Sequence, residues 1–216
     1  MADALPLTRR AASPERADAI RQAVRAVTGL PVVGEGQSRI ATLDDAAALA
    51  AFLADPAVHA PIYTVPQPIN EETMTGFIAD HMAQQARGEG LLALSLSPDG
   101  ALVGYSDIQV WPQWAAGELG GALRADRQSA GQGARGAAAS FDWMFETLGL
   151  ETLCETASLD NVRTARLLDG LGFERMGEID SVRPDGTIRR SRVWEITRPV
   201  WRARHPGPDR SPATAP

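Results

Sequence analysis

Three glycines fall within six residues, Gly131, Gly133 and Gly136, where the chain passes from strand-like to helix-like sequence. Before them lies an apolar strand candidate, Glu118–Leu123. After them Ala134–Leu148 carries Phe141, Met144, Phe145 and Leu148 at helical spacing. Glycines let the backbone turn sharply and approach a ligand closely. The helix that follows offers unpaired N–H groups and the positive end of its dipole. Together these make an anion site best suited to phosphate. A glycine loop without a ligand is the plain alternative.

The kind of phosphate ligand is narrowed by an absent residue. All 21 cationic side chains are arginines. Without lysine there is no P-loop lysine, no Schiff-base lysine and no protein-kinase lysine. The run Gly131-Gln132-Gly133-Ala134-Arg135-Gly136 does fit the dinucleotide fingerprint G-x-G-x-x-G, and Glu151 lies 20 residues beyond its first glycine. In a dinucleotide-binding domain, however, the strand runs straight into that glycine. Here the polar segment Asp126–Ala130 intervenes, and too little chain follows.

The rest of the pattern alternates. Ser13-Pro14-Glu15 is a helix start, with Ile20, Val24 and Val27 following at helical spacing. Arg39–Leu43 reads as a strand, Asp44–Ala54 as an alanine-rich helix, and 58–70 as loop or broken helix. Glu71–Arg87 places Met74, Phe77, Ile78 and Met82 on one helical face. Strands Leu91–Leu96 and Leu102–Val110 flank the turn Ser97-Pro98-Asp99-Gly100. Beyond the central helix come strand Thr152–Ala157, helix Val162–Leu171, and strands Phe173–Ile179 and Ser191–Thr197. The expected fold is α/β, with a mixed, mostly antiparallel central sheet and flanking helices.

At 216 residues the chain suits one domain. We divide it into an N-terminal helical extension (1–37), a main domain (38–200) and a proline-rich, disordered tail (201–216). A net charge of −6 argues against a nucleic-acid partner held by a basic face. No apolar run is long enough for a membrane span. The single cysteine, Cys154, rules out an internal disulfide and fits a cytoplasmic protein. His59, His81 and His205 are scattered, so no metal site is expected.

Gln128-x-x-Gly131-x-Gly133 resembles the Q/R-x-x-G-x-G/A hallmark of the GCN5-related N-acetyltransferase (GNAT) family. A second block strengthens the likeness: strand Thr152–Ala157, then Asp160-Asn161 opening a short helix, then Leu171-Gly172-Phe173. The strand Glu118-Leu119-Gly120-Gly121-Ala122-Leu123 stands where the branch containing ribosomal-protein N-terminal acetyltransferases has E-I-G-Y-W-L. Gly121 and Ala122 replace its aromatics. Leu168 occupies the place where many relatives carry a tyrosine as general acid.

The resemblance implies an acetyl-CoA-dependent N-acetyltransferase acting by direct attack in a ternary complex, with splayed strands forming the acyl-CoA cleft. The acceptor would be a primary amine, on a small molecule or a protein N-terminus. Homodimers are common among relatives. Because Leu168, Gly121 and Ala122 depart from the catalytic pattern, a non-catalytic CoA-binding or sensing module is the alternative. The cofactor-binding residues implied are Leu123, Ala125, Gln128, Gly131, Gln132, Gly133, Ala134, Arg135, Gly136 and Asn161. Glu118 takes the family's common base position and Thr164 lies near the CoA sulfur. Asp107, alternating with apolar neighbours, is a second candidate base. Trp111 and Trp114 are candidates for the acceptor pocket, with His59 and Tyr63 on the same side by resemblance.

Overall fold

The computed structural model describes residues 5–60, 62, 64–127, 132–183 and 185–206. Seven strands form one sheet: β1 (Gln37–Ile40), β2 (Gly90–Leu96), β3 (Leu102–Trp111), β4 (Ala116–Leu123), β5 (Thr152–Ser158), β6 (Glu174–Val182) and β7 (Ile188–Thr197). Their spatial order is β1-β2-β3-β4-β5-β7-β6. Neighbours are antiparallel except β4 and β5. That parallel pair needs a long crossover, which the helix after the glycine segment supplies.

Among the described residues seven α-helices surround the sheet: α1 (Pro14–Arg25), α2 (Ala46–Leu53), α3 (Pro56–His59), α4 (Glu71–Arg87), α5 (Gln132–Glu146), α6 (Val162–Leu171) and α7 (Arg198–Arg204). Alternation along β2 shows how both faces are covered. Leu91 and Ala93 join a core built with α1, α5 and α7, through Ile20, Val24, Phe141, Phe145 and Trp201. Leu92 and Leu94 join a second core with Leu49 and Leu53 of α2 and Met74, Phe77 and Ile78 of α4.

Several expectations change here. The helix assigned to an N-terminal extension is part of the main core, since Ile20 and Val24 pack with Phe141. The boundary set at residue 201 falls inside α7, whose Trp201 is fully buried. Within 58–70, the end of the short helix α3 appears. On α4 the buried stripe continues through His81, whereas Met82 is exposed. The departure at Gly121 has a steric cause. Its φ is +136°, and a Cβ there would lie 2.2 Å from the Tyr105 carbonyl oxygen. Only glycine fits such a backbone.

β4 and β5 pair through two positions alone, Ala116 with Thr152 and Gly117 with Leu153. Beyond Gly117 the strands part. The sheet therefore opens into a fork at its centre, and among the described residues β4 beyond that point has a strand partner on its β3 side only.

Candidate functional site

The fork leads into a cleft of about 1040 Å³. Its walls come from β3, β4 and β5, from α4, and from the first turns of α5 and α6. Side chains two apart on a strand share a face, and directly paired residues share it too. Tyr105, Asp107 and Gln109 of β3 pair with Ala122, Gly120 and Glu118 of β4, so these six stand together on one face.

Glu118 is half-buried at the start of the fork. The Thr156 hydroxyl donates to its Oε1 at 2.6 Å. Desolvation disfavours its charge, the Thr156 bond partly offsets this, and the negative Asp107 adds to the rise. The carboxyl is pushed up to about 7. Beside it, Glu155 of β5 is buried and accepts the Leu119 N–H at 2.9 Å. Burial, with the neighbouring Glu118 charge, pushes Glu155 well above the usual carboxylate range.

Asp107 does not stand alone. Its Oδ1 lies 3.0 Å from Nε2 of His81, and His81 Nδ1 lies 2.8 Å from the Phe77 carbonyl oxygen. Burial opposes a charge on this imidazole, but Asp107, the Phe77 carbonyl and Asp80 outweigh it and raise the His81 pKa. Neither His81 nor Glu155 stood out in the sequence as a site residue. The available signal was position. His81 lies four residues after Phe77 on an apolar helical stripe. Glu155 shares a strand face with Leu153 and Ala157, which are both buried.

The glycine segment enters the site through α5. Gln128 and Gly131 lie outside the described residues, as does Tyr63. The Gln132 backbone opens α5. Gly133 and Gly136 line the cleft, and a Cβ on either would meet no protein atom within 4 Å. The fold itself therefore makes no demand for glycine at Gly136, where it weakens the helix relative to alanine. A ligand passing close to this face would make that demand. Ala134 is half-buried and Arg135 exposed. Leu123 ends β4 and lines the cleft, while Ala125 is exposed in a short 3-10 turn.

Across the fork, Asn161 caps α6, its Oδ1 accepting the Thr164 N–H at 3.1 Å. Asn161, Thr164 and the buried Leu168 line the same cleft. Trp111 also lines it, whereas Trp114 packs beside Trp111 and Cys154 in a small apolar cluster. His59 is engaged with the Leu53 carbonyl oxygen at 2.8 Å. Cys154 is fully buried, and burial raises its thiol pKa, which fits a packing role.

The cleft thus joins a helix start with two open glycines, a fork between parallel strands, and a carboxyl poised near neutrality. Such a site can hold a long phosphorylated thioester and take a proton from an amine. A model of the acetyltransferase (GNAT) domain matches residues 39–174, more than half of the chain. No curated protein matches the sequence. Among solved structures, a ribosomal-protein-S5-alanine acetyltransferase from Vibrio fischeri is similar at 17% identity and TM-score 0.65, covering 79% of this chain and 97% of that one. RimJ from Mycobacterium smegmatis, in complex with a CoA disulfide, is 20% identical with TM-score 0.63, covering 75% and 81%. RimL, a ribosomal L7/L12 alpha-N-protein acetyltransferase in complex with coenzyme A, is 14% identical with TM-score 0.65, covering 78% and 97%. These likenesses show a shared fold.

Proposed function

Because the chain belongs to the GNAT acetyltransferase family and is an acetyl-CoA-dependent N-acetyltransferase, we propose that its acceptor is the α-amine of a protein or peptide N-terminus. One observation carries this reading: Glu118, on the cleft face at the apex of the fork, has its carboxyl pushed up to about 7. A peptide α-amine has a pKa of about 8, and a lysine-type amine about 10.4. Proton transfer to a base near 7 is uphill by roughly one unit from the first, and by more than three from the second. The site is matched to the weaker base. The structural relatives named as a ribosomal-protein-S5-alanine acetyltransferase and a ribosomal L7/L12 alpha-N-protein acetyltransferase support the choice of a protein acceptor.

In this reading the first turn of α5, with Gly133 and Gly136, holds the pyrophosphate of acetyl-CoA, and Asn161 and Thr164 flank its thioester end. Acetyl-CoA supplies an activated acyl group on a thiol. Glu118 takes a proton from the acceptor's ammonium, directly or through a water, and so frees the lone pair with which the nitrogen then bonds to the acetyl carbon. The carbon–sulfur bond then breaks, the sulfur leaves with the electron pair, and the nitrogen's second proton passes to solvent or to the departing thiolate. Leu168 carries no proton to give it. A thiol of pKa about 8.5 needs little help to leave near neutral pH.

The test is a panel of N-terminal peptides, polyamines and amino acids with acetyl-CoA, read by thiol release and by the mass gain of one acetyl group. Selective acetylation of peptide α-amines is expected. Turnover confined to small-molecule amines sinks the reading.

A further inference from the structure

We propose that Asp107, held from behind by His81, receives the α-ammonium of the acceptor and is not the catalytic base. The proposal rests on the peptide-acceptor reading and deepens it.

The location of one proton decides the matter. The Phe77 carbonyl oxygen can only accept, so His81 Nδ1 carries a hydrogen and donates it. His81 Nε2 and Asp107 Oδ1 are 3.0 Å apart. Two lone pairs do not face each other at that distance in a half-dry site, so a proton lies between them. The pair already holds the proton that a free carboxylate would take. As a base it is spent. As an acceptor of hydrogen bonds it is intact, because the second carboxylate oxygen, Oδ2, has no hydrogen bond among the described residues.

The pair also has a direction. The His81 side chain is 8% exposed and that of Asp107 16%, so the cationic ring is deeper and the carboxylate nearer the cleft. It is a dipole with its negative end at the cleft. The charged and titratable groups around it are Asp80 on α4, Tyr105 on β3 and Glu118 on β4. Opposite Asp107 stands Gly120, where a Cβ would lie 3.5 Å from Asp107 Cβ. The missing side chain leaves Asp107 uncovered from the β4 side. Glu118 stands one pleat away on the same face. An ammonium seated over Gly120 therefore meets Asp107 as its anchor and Glu118 as its base. The Tyr105 hydroxyl, buried without a partner among the described residues, borders the same place.

The experiment uses the full chain and two ligands, Ala-Ala-Ala amide and its analogue with a hydroxyl in place of the α-amine. With the wild-type protein saturated with CoA, calorimetry at pH 6.5 should show the amine bound about 10- to 100-fold tighter, the range of one hydrogen bond to a charged group. With acetyl-CoA, Asp107→Asn should raise KM for the peptide by a similar factor. Its kcat should stay within about threefold, and its affinity for CoA should be unchanged. His81→Gln should raise KM less, since it removes only the support. Gly120→Ala, a change at ordinary contact distance, should raise KM without touching any charge. Equal binding of amine and hydroxyl ligands would overturn the proposal. So would a loss in kcat at unchanged KM in Asp107→Asn, which would make Asp107 the base. If the wild-type protein acetylates no peptide, the acceptor reading itself fails. If it does so and Asp107→Asn leaves KM unchanged, only the anchor fails.

Discussion

Leu119 donates its backbone N–H to the Glu155 carboxyl at 2.9 Å, across the gap where β4 and β5 have stopped pairing. The bond spans the fork just past its apex. A sheet that opens at its centre leaves strand N–H groups without ladder partners, and a buried orphan donor is costly. Glu155 answers one of them. Burial pushes this carboxyl well above the ordinary range and so disfavours a charge in the gap.

A neutral amide should serve that purpose nearly as well. Glu155→Gln keeps an acceptor for Leu119 and is expected to stay within about 1 kcal/mol of the wild-type stability. Glu155→Ala leaves the N–H unpaired and should cost about 1–3 kcal/mol. Urea unfolding of the two variants distinguishes them. Equal losses would show that the bond to Leu119 contributes nothing.

Glu118 sets a pH profile. With its carboxyl near 7, kcat/KM for a peptide acceptor should rise with pH up to about 7 as the carboxylate forms. In Glu118→Gln the only proton left to lose is the amine's own, so the inflection should move up to about 8. The loss should be greatest below pH 7, at roughly 10²-fold, and shrink by about tenfold toward pH 9. An unshifted inflection would remove Glu118 from the base role.

Gly136 separates ligand from fold. An alanine there meets no protein atom within 4 Å, so Gly136→Ala should raise stability by about 0.5–1 kcal/mol. The same methyl group stands on the cleft wall. Affinity for acetyl-CoA should fall at least about tenfold, because the methyl group would push the pyrophosphate away from the N–H groups at the helix start and weaken a charge-assisted bond there. Affinity for pantetheine, which lacks the pyrophosphate, should change little. Calorimetry and thermal melting together give both numbers. Unchanged acetyl-CoA binding would place the pyrophosphate elsewhere.

The glycine segment, the Asn161 cap and the Gly172 stop were legible because each is a local signal, written in residue types that a turn or helix end requires. Val162–Leu171 was readable to the residue for that reason. The alternation of strands with helices carried the fold class. What the sequence hid depends on distance along the chain. His81 and Asp107 are 26 residues apart and meet through the packing of α4 on β3. Glu155 becomes a bridge only because the strands part beside it. Residues 201–216 read as a loose tail, since the partners of Trp201, Phe141 and Phe173, lie far back in the chain.

Asp45 gives an acid-stability prediction. It accepts two bonds from the Arg39 guanidinium, at 2.7 and 2.6 Å, and one from the Thr42 N–H at 2.8 Å. The Arg39 bonds, with burial opposing them, hold its carboxyl at about 2, below its ordinary 3.8. The folded value is depressed, so the stabilisation is complete above the unfolded value and is lost as pH falls from about 4 toward 2. With Arg39 partly exposed, about 1–2 kcal/mol is at stake. Asp45→Asn should lose that amount at pH 7 and flatten the stability profile below pH 4. A variant profile parallel to the wild type would refute the linkage.

Trp201 is the residue on which the C-terminal boundary turns. It is fully buried, its ring packs edge-on against Phe141 at 5.7 Å, and its indole N–H donates to Asp142 Oδ1 at 2.7 Å. α7 thus closes the core that supports α5, the helix whose first turn lines the cleft. Trp201→Ala should cost about 3–5 kcal/mol, the range for a buried aromatic truncated to a cavity. Trp201→Phe keeps most of the volume but leaves Asp142 without its donor, and should cost less. Ending the chain after residue 200 should destabilise it at least as much as Trp201→Ala, because the whole of the buried ring goes with the helix. Acetyl-CoA binding by Trp201→Phe should remain near the wild-type value, since no atom of this side chain reaches the cleft. Chemical denaturation of the three variants checks the order, and full stability of the truncated chain would mean that α7 merely covers a core complete without it.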